Sequence, residues 1–230
     1  VEGTQWSAPD NLIPQGCTAI TPEMLPLVQL TQTEIDTTAA RVPGGTANIQ
    51  DIYPLAPLQQ GILFHHRLST DSDAYITSAI LGFASRERFD EFMAVLGRVV
   101  ERHDVLRTAV VWEDLPQAVQ VVHRQAAVQE EVFGDGEFDT AEEALHVLKE
   151  FMVAGQFMMD LQNPPLVRVL LAQPKQGEDC YALLLFHHII TDHVSQEVLI
   201  EEIVRLLSDQ QGALPEPIQY RDFVAHSLAH

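Results

Sequence analysis

The chain has 230 residues, of which 33 are Asp or Glu and 13 are Lys or Arg, so its formal charge is −20 at pH 7. This acidic balance argues against nucleic-acid or anionic-membrane partners, because both attract clustered basic side chains. No stretch approaches the roughly 18 apolar residues that span a bilayer. The two cysteines, Cys17 and Cys180, form neither a disulfide framework nor a metal-ligand pattern. We therefore expect a cytoplasmic protein.

The first 50 residues carry few periodic patterns. Loop-forming residues occur at positions 7–11 and 43–45, and one short helix is predicted at 33–41. We interpret residues 1–50 as a linker and residues 51–230 as a domain. Because the chain lacks an initiator Met and a domain rarely begins with fifty loosely patterned residues, we expect more chain upstream.

From residue 52 onward the predicted elements follow one another closely. Pro57 can begin a helix that runs to about His66. After it we expect a strand at 74–84, a helix from 89 to about 103, strands at 105–112 and 117–123, a helix at 140–155, an antiparallel pair at 166–172 and 181–186, and helices at 194–207 and 220–228. This order indicates an α+β fold in which helices cover a sheet.

Three histidines and an aspartate lie between the last predicted strand and the helix after it: His187, His188, Asp192 and His193. Imidazole titrates near neutrality and therefore suits proton abstraction from an amine or alcohol. Satisfied polar groups at a strand end are one alternative, and a zinc site is another. Neighbouring side chains of a strand point to opposite faces, so His187 and His188 are poor joint ligands, and we predict no metal site.

This segment resembles the HHxxxDG signature of condensation domains from nonribosomal peptide synthetases, in the chloramphenicol acetyltransferase-like superfamily. Residues 53–63 resemble the opening motif of that family, residues 102–108 are similar to RHExLRT, and residues 220–223 resemble YxDF. The linker that contains residues 43–45 is of the kind that follows a carrier domain. The resemblance departs from the signature at His193, which replaces a glycine that sits near the substrate tunnel.

The resemblance implies a role for each of these side chains. His188 is the catalytic histidine, which deprotonates or positions the acceptor amine as it attacks a thioester on an upstream carrier protein. His187 points inward and supports the loop. Asp192 forms a structural salt bridge with Arg102 or, alternatively, Arg107. Breaking a buried pair from one side costs about 3–5 kcal/mol, so we expect Asp192→Ala to damage folding as much as chemistry.

A second histidine pair, His65 and His66, precedes Asp73 and resembles the HH[I/L]xxxxGD motif of dual epimerisation/condensation domains. Arg67 and Ser72 depart from that motif. Dual domains invert the α-carbon of the upstream residue before condensing it, which requires titratable groups near the thioester. Two other interpretations stay open: a polar helix end favoured by the helix dipole, and a plain condensation domain that accepts a D-configured donor.

The resemblance also implies extent and partners. Condensation domains are pseudo-dimers of two related lobes, so we expect residues 51–230 to be the N-terminal lobe and the isolated chain to be inactive. The expected partners are the upstream and downstream peptidyl carrier domains, together with the C-terminal lobe and the adenylation domain of the same polypeptide. No cofactor is expected on this chain, because the phosphopantetheine arms belong to the carriers. A non-catalytic docking module and a zinc hydrolase are the alternatives.

Overall fold

The computed structural model describes residues 7–134, 138–208 and 214–229. The strands are β1 (Ile49–Pro54), β2 (Ile76–Phe83), β3 (Thr108–Val111), β4 (Val119–His123), β5 (Glu130–Val132), β6 (Val167–Ala172) and β7 (Cys180–His187). The helices are α1 (Gln32–Arg41), α2 (Pro57–Leu68), α3 (Arg86–Arg102), α4 (Ala141–Ala154), α5 (His193–Leu207) and α6 (Tyr220–Ala229). The α+β fold class is therefore confirmed.

The strands form two sheets, one in the order β1-β4-β3 and the other in the order β2-β7-β6-β5. All neighbours are antiparallel except β5 and β6. The predicted helices and the antiparallel pair of β6 and β7 are present, with ends that differ by a few residues. Residues 104–107 form a 3-10 turn instead of the expected start of a strand.

Two strands were not predicted, β1 and β5. β1 is buried along nearly its whole length and includes Asp51 and Pro54, so it shows neither polar–apolar alternation nor typical strand composition. β5 has three residues and is held in place through Glu131, whose two carboxylate oxygens accept hydrogen bonds from Arg168 of β6 at 2.8 and 2.5 Å. Both strands depend on partners that are distant in the chain.

The four-stranded sheet is covered on both faces, because successive side chains of β7 pack into different hydrophobic clusters. Leu184 packs on one side with Phe92 of α3, in a core that also includes α5. Leu183 packs on the opposite side with Leu148 of α4. A side chain buried in this way contributes about 1.5–3 kcal/mol. The backbone of β7, paired on both edges and packed on both faces, is therefore a rigid support for the residues at its end.

The N-terminal segment packs against the three-stranded sheet. Apolar residues from Ile13 to Val42 share a hydrophobic cluster with Ile52 of β1 and Val119 of β4. These apolar side chains of the N-terminal segment are thus part of the core of this molecule. Within the described ranges, no helix combines the length and apolar character that crossing a membrane requires.

Candidate active site

The end of β7 carries the two adjacent histidines of the HHxxxD segment. The N–H of His187 donates to the carbonyl of Leu166, and the N–H of His188 donates to the carbonyl of Tyr75 at 2.7 Å. His187 is fully buried, whereas His188 is half-buried. The backbone of the sheet therefore positions the half-buried side chain of His188.

The ring of His188 has a defined tautomer. Its Nδ1 lies 2.9 Å from the carbonyl oxygen of Thr191. Because a carbonyl only accepts, Nδ1 carries the hydrogen, and the lone pair of the neutral ring is on Nε2. His188 can therefore take up a proton at Nε2 while its other nitrogen is held by the loop.

His187 has the opposite tautomer. Its Nδ1 accepts the backbone N–H of Ile189 at 3.0 Å, so Nε2 carries the hydrogen and donates to Oδ2 of Asp73 at 2.9 Å. Burial lowers the pKa of His187, although the hydrogen bond and the charge of Asp73 oppose this change. His187 is therefore a neutral ring that supports the loop from below.

Asp73 links this site to the second histidine pair. The same Oδ2 lies 2.5 Å from Nδ1 of His66, and Oδ1 accepts the N–H of Tyr75 at 2.9 Å. Burial raises the pKa of Asp73, but the hydrogen bonds from His66, His187 and Tyr75 together bring it below its usual value. His65 is on the exposed side of α2, where its ring centre is 5.9 Å from that of Tyr75.

His66, Asp73 and His187 offer three ligand atoms within 4.8 Å of one another. The hydrogen-bonding pattern does not suit a metal ion, because the Nε2 of His187 carries a hydrogen. Binding a metal there would move that hydrogen to Nδ1, against the buried N–H of Ile189, and such an unsatisfied group is costly. These residues form a hydrogen-bond network.

Asp192 does not form the predicted salt bridge with Arg102 or Arg107. Asp192 is exposed at the start of α5, where its Oδ1 accepts the N–H of Ser195 at 2.7 Å. That hydrogen bond lowers the pKa of Asp192. Its carboxylate satisfies a helix N–H group that has no partner within the helix, so the residue acts as an N-cap.

The two candidate arginines bind elsewhere. Arg102 forms an ion pair with Glu202 of α5. The guanidinium of Arg107 is directed to backbone carbonyls, which include that of Val100 at 3.1 Å, and to Oε1 of Gln50 at 3.0 Å. The pairing of Asp192 is therefore corrected: Arg102 reaches a later turn of α5, and Arg107 ties the end of α3 to β4.

Gln59 lies in the segment 53–63 that resembles the opening motif, but the sequence did not single it out as a site residue. Its Nε2 donates to the carbonyl of Ile189 at 2.8 Å, and its Oε1 accepts the N–H of Ala56 at 2.9 Å. Its amide also pairs with that of Gln120 at 2.9 Å. Gln59 is 3% exposed. A polar residue on the apolar face of a predicted helix was the available signal, and it marks a buried contact with the loop that follows His188.

The segment that resembles YxDF contacts the segment 102–108 and strand β1. The carboxylate of Asp104 accepts the N–H of Tyr220 at the start of α6. Burial, together with the charge of Asp192, raises the pKa of Tyr220 to about 12. Arg221 pairs with Asp51 of β1 at 2.6 Å. The side chain of His193 lies outside the described part of the structure, so the effect of its replacing glycine stays a prediction.

An apolar groove lies beside the site, between β2 and α5. Its volume is about 350 Å³. Phe83, Leu184 and Phe186 line its floor, and Ile203 is on its α5 side. Gln196, which lies at its edge, donates to the hydroxyl groups of Thr77 and Thr191. The groove therefore borders the loop that carries His188.

Comparison with known proteins agrees with this fold. The Condensation domain model matches residues 49–229. This chain therefore belongs to the condensation-domain family, whose members are acyltransferase-type enzymes of nonribosomal peptide synthesis. The predicted family and the chloramphenicol acetyltransferase-like fold are confirmed.

The relatives are long synthetases. The chain is 41% identical to malpibaldin synthetase of Mortierella alpina over 94% of its own length but 4% of that protein. It is 28% identical to tyrocidine synthase 2 of Brevibacillus parabrevis over 76% of its length and 5% of the relative. The crystal structure of the starter condensation domain of rhizomide synthetase superposes with a TM-score of 0.62 at 17% identity, over 78% of this chain and 44% of that one.

Proposed function

We propose that this chain supplies the catalytic histidine of an amide-forming condensation domain. The observation that carries the proposal is the tautomer of His188, whose Nδ1 hydrogen is held by the carbonyl of Thr191 while Nε2 is the basic nitrogen. The substrates are a donor aminoacyl or peptidyl thioester and an acceptor aminoacyl thioester. Each is attached to the phosphopantetheine arm of a partner carrier domain.

The reaction needs modest proton transfer. The acceptor amine attacks the thioester carbonyl carbon, so a C–N bond forms, the C–S bond breaks, and the thiolate leaves on the donor arm. Nε2 of His188 takes the proton from the amine and returns it to the thiolate. Holding both tethered reactants together supplies most of the acceleration, and a positioned acid–base group contributes about 10²–10⁴-fold.

The test is His188→Ala in the complete synthetase module, with amide product measured from loaded carriers. We expect a loss of about 10²-fold or more. His146→Ala is the matched control, because His146 is exposed on α4 and 71% of its side chain is accessible. Unchanged turnover in His188→Ala would refute the assignment.

We also propose that the domain is of the dual epimerisation/condensation type and that His65 is the accessible titratable group of its second histidine pair. His65 contacts the ring of Tyr75, and the carbonyl of Tyr75 binds the N–H of His188, so both histidines adjoin the same residue. Inversion removes a proton from the α-carbon of the donor residue and returns one to the opposite face.

Chiral analysis of the product distinguishes the subtypes. With an L-loaded donor carrier, we expect a D-configured residue in the product of the module and its loss in His65→Gln. An L-configured residue in the product of the unmodified module would refute epimerisation. Product formed only from a D-loaded donor would identify a plain condensation domain that accepts D-configured donors.

We further propose that residues 51–230 are an N-terminal lobe that does not turn over alone, and that residues 1–50 follow an upstream carrier domain. In support, the chain covers 38% to 45% of several of the solved structures that share its fold, such as the rhizomide synthetase domain at 44%. Amide formation by the isolated chain would contradict this proposal. Carrier binding without any chemistry, even in the complete module, would instead identify a docking module.

A further inference from the structure

We infer that Asp73 is a positioning residue for condensation, which ties His66 to His187 and thereby holds the loop of His188. This inference rests on the proposed function of His188. It gives His66 and Asp73 a different role from that of the epimerisation motif that they resemble: they support the condensation loop, and His65 is the exposed member of the second histidine pair.

The geometry of Asp73 is that of a fixed anchor. Its Oδ2 accepts from His66 at 2.5 Å and from His187 at 2.9 Å, and its Oδ1 accepts from Tyr75 at 2.9 Å. Its own N–H donates to the carbonyl of Phe157 at 2.8 Å. With 4% of the residue exposed, this carboxylate does not meet a substrate. A buried carboxylate that accepts several hydrogen bonds holds its partners in one orientation.

The anchor determines which nitrogen of His187 carries the hydrogen. A carboxylate only accepts, so Nε2 of His187 must donate to it. Nδ1 then holds the lone pair that accepts the N–H of Ile189. Ile189 immediately follows His188, so this hydrogen bond holds the loop in which Thr191 binds Nδ1 of His188. Without the carboxylate, a hydrogen on Nδ1 of His187 would face the N–H of Ile189.

His66, in the last turn of α2, is the second histidine that donates to Oδ2 of Asp73. The residue is 9% exposed, and its ring packs edge-on against that of His187, with ring centres 5.9 Å apart. Its other ring neighbour is Trp112, at 6.2 Å. The last turn of α2 is therefore connected to the catalytic loop through one oxygen atom of Asp73. The acid–base chemistry of the second pair is left to His65.

The first test is nitrogen NMR of the histidine rings in the 230-residue chain. We expect His187 to be the Nε2–H tautomer, and Asp73→Asn to shift it toward Nδ1–H. The matched control is Asp71→Asn, because Asp71 is exposed two residues earlier in the same loop. An Nδ1–H tautomer of His187 in the unmodified chain would overturn the inference, and this readout needs no variant that folds.

The second test is condensation in the complete module from a D-loaded donor, which needs no epimerisation. We expect Asp73→Asn to reduce kcat about 10-fold or more with little change in KM, while Asp71→Asn has no effect. If Asp73→Asn loses only epimerisation of an L-loaded donor and condenses the D-loaded one normally, the inference is wrong. Failure of the proposed function itself shows separately, as full activity of His188→Ala.

Discussion

His187 and His188 are neighbours in the chain, yet their rings carry the hydrogen on opposite nitrogens. The carbonyl of Thr191 sets the tautomer of His188, and the carboxylate of Asp73 together with the N–H of Ile189 sets that of His187. The same residue type therefore carries the lone pair on Nε2 at one position and donates a hydrogen bond from Nε2 at the other. The difference comes from the partners that the fold supplies to each ring.

Gln59 gives a prediction at this scale. Gln59→Leu removes the donor to the carbonyl of Ile189 and leaves a buried acceptor unsatisfied, which costs about 1–3 kcal/mol. We expect the free energy of unfolding of Gln59→Leu, measured with urea, to fall by this amount. We also expect slower amide formation in the complete module. Gln60→Leu is the control, because Gln60 is exposed and its Nε2 donates to the carbonyl of Leu55, at 3.3 Å, instead of to the loop that follows His188. Equal stability of the two variants would contradict the role of Gln59.

Helix α5 shows how one element changes the role of a motif residue. Asp192 stands immediately before the helix, so its carboxylate caps α5 instead of meeting an arginine. Arg102, the first arginine of the segment 102–108, forms an ion pair with Glu202 of the same helix, about three turns after Asp192. The motif therefore does connect α3 and α5, through a different carboxylate from the one expected.

This correction changes the expected effect of Asp192→Ala. Loss of an exposed N-cap costs about 1 kcal/mol, less than the 3–5 kcal/mol of a broken buried ion pair. Asp192→Asn should retain most of the stability, because Asn is an equally good N-cap. Urea unfolding of both variants measures the difference. A loss above about 3 kcal/mol in both would favour a buried charge interaction after all.

At the scale of the whole molecule, His123 makes stability depend on pH. Its side chain is buried at the end of β4, and burial, followed by the charge of Arg107, lowers its pKa to about 4. The unfolded chain takes up this proton near pH 6.5, before the folded chain does. The part of the free energy of unfolding that depends on a neutral His123 is therefore fully present above pH 6.5, and it is lost as the pH falls toward 4.

The expected size of this contribution is about 3 kcal/mol. We predict that the free energy of unfolding falls by that order between pH 7 and pH 4, and that His123→Leu removes this part of the slope. Because other buried groups titrate in the same range, the quantity to measure is the difference between the variant and the unmodified chain. His146→Ala, an exposed control, should keep the slope. An unchanged slope in His123→Leu would refute the prediction.

The sequence was sufficient for the elements whose signals are local. The apolar spacing of α3, with Phe89, Phe92 and Leu96 buried on one face, predicts that helix within a few residues of its ends. The resemblance of residues 187–192 to the HHxxxD signature also implies, without any coordinates, that His188 is the candidate base. These features involve residues within one or two turns or one strand, whose side-chain directions follow directly from backbone period.

By itself, then, the sequence determined the α+β class, the helices, most strands, the family resemblance and the histidine to which chemistry is assigned. Only the tertiary structure decided the division into two sheets, the packing of the N-terminal segment, the partner of Arg102 and the contact of Asp73 with His187 across 114 positions. The physical reason is that these contacts join residues that are far apart in the chain. Periodicity states which way a side chain points, but the partner that lies there depends on how distant segments pack.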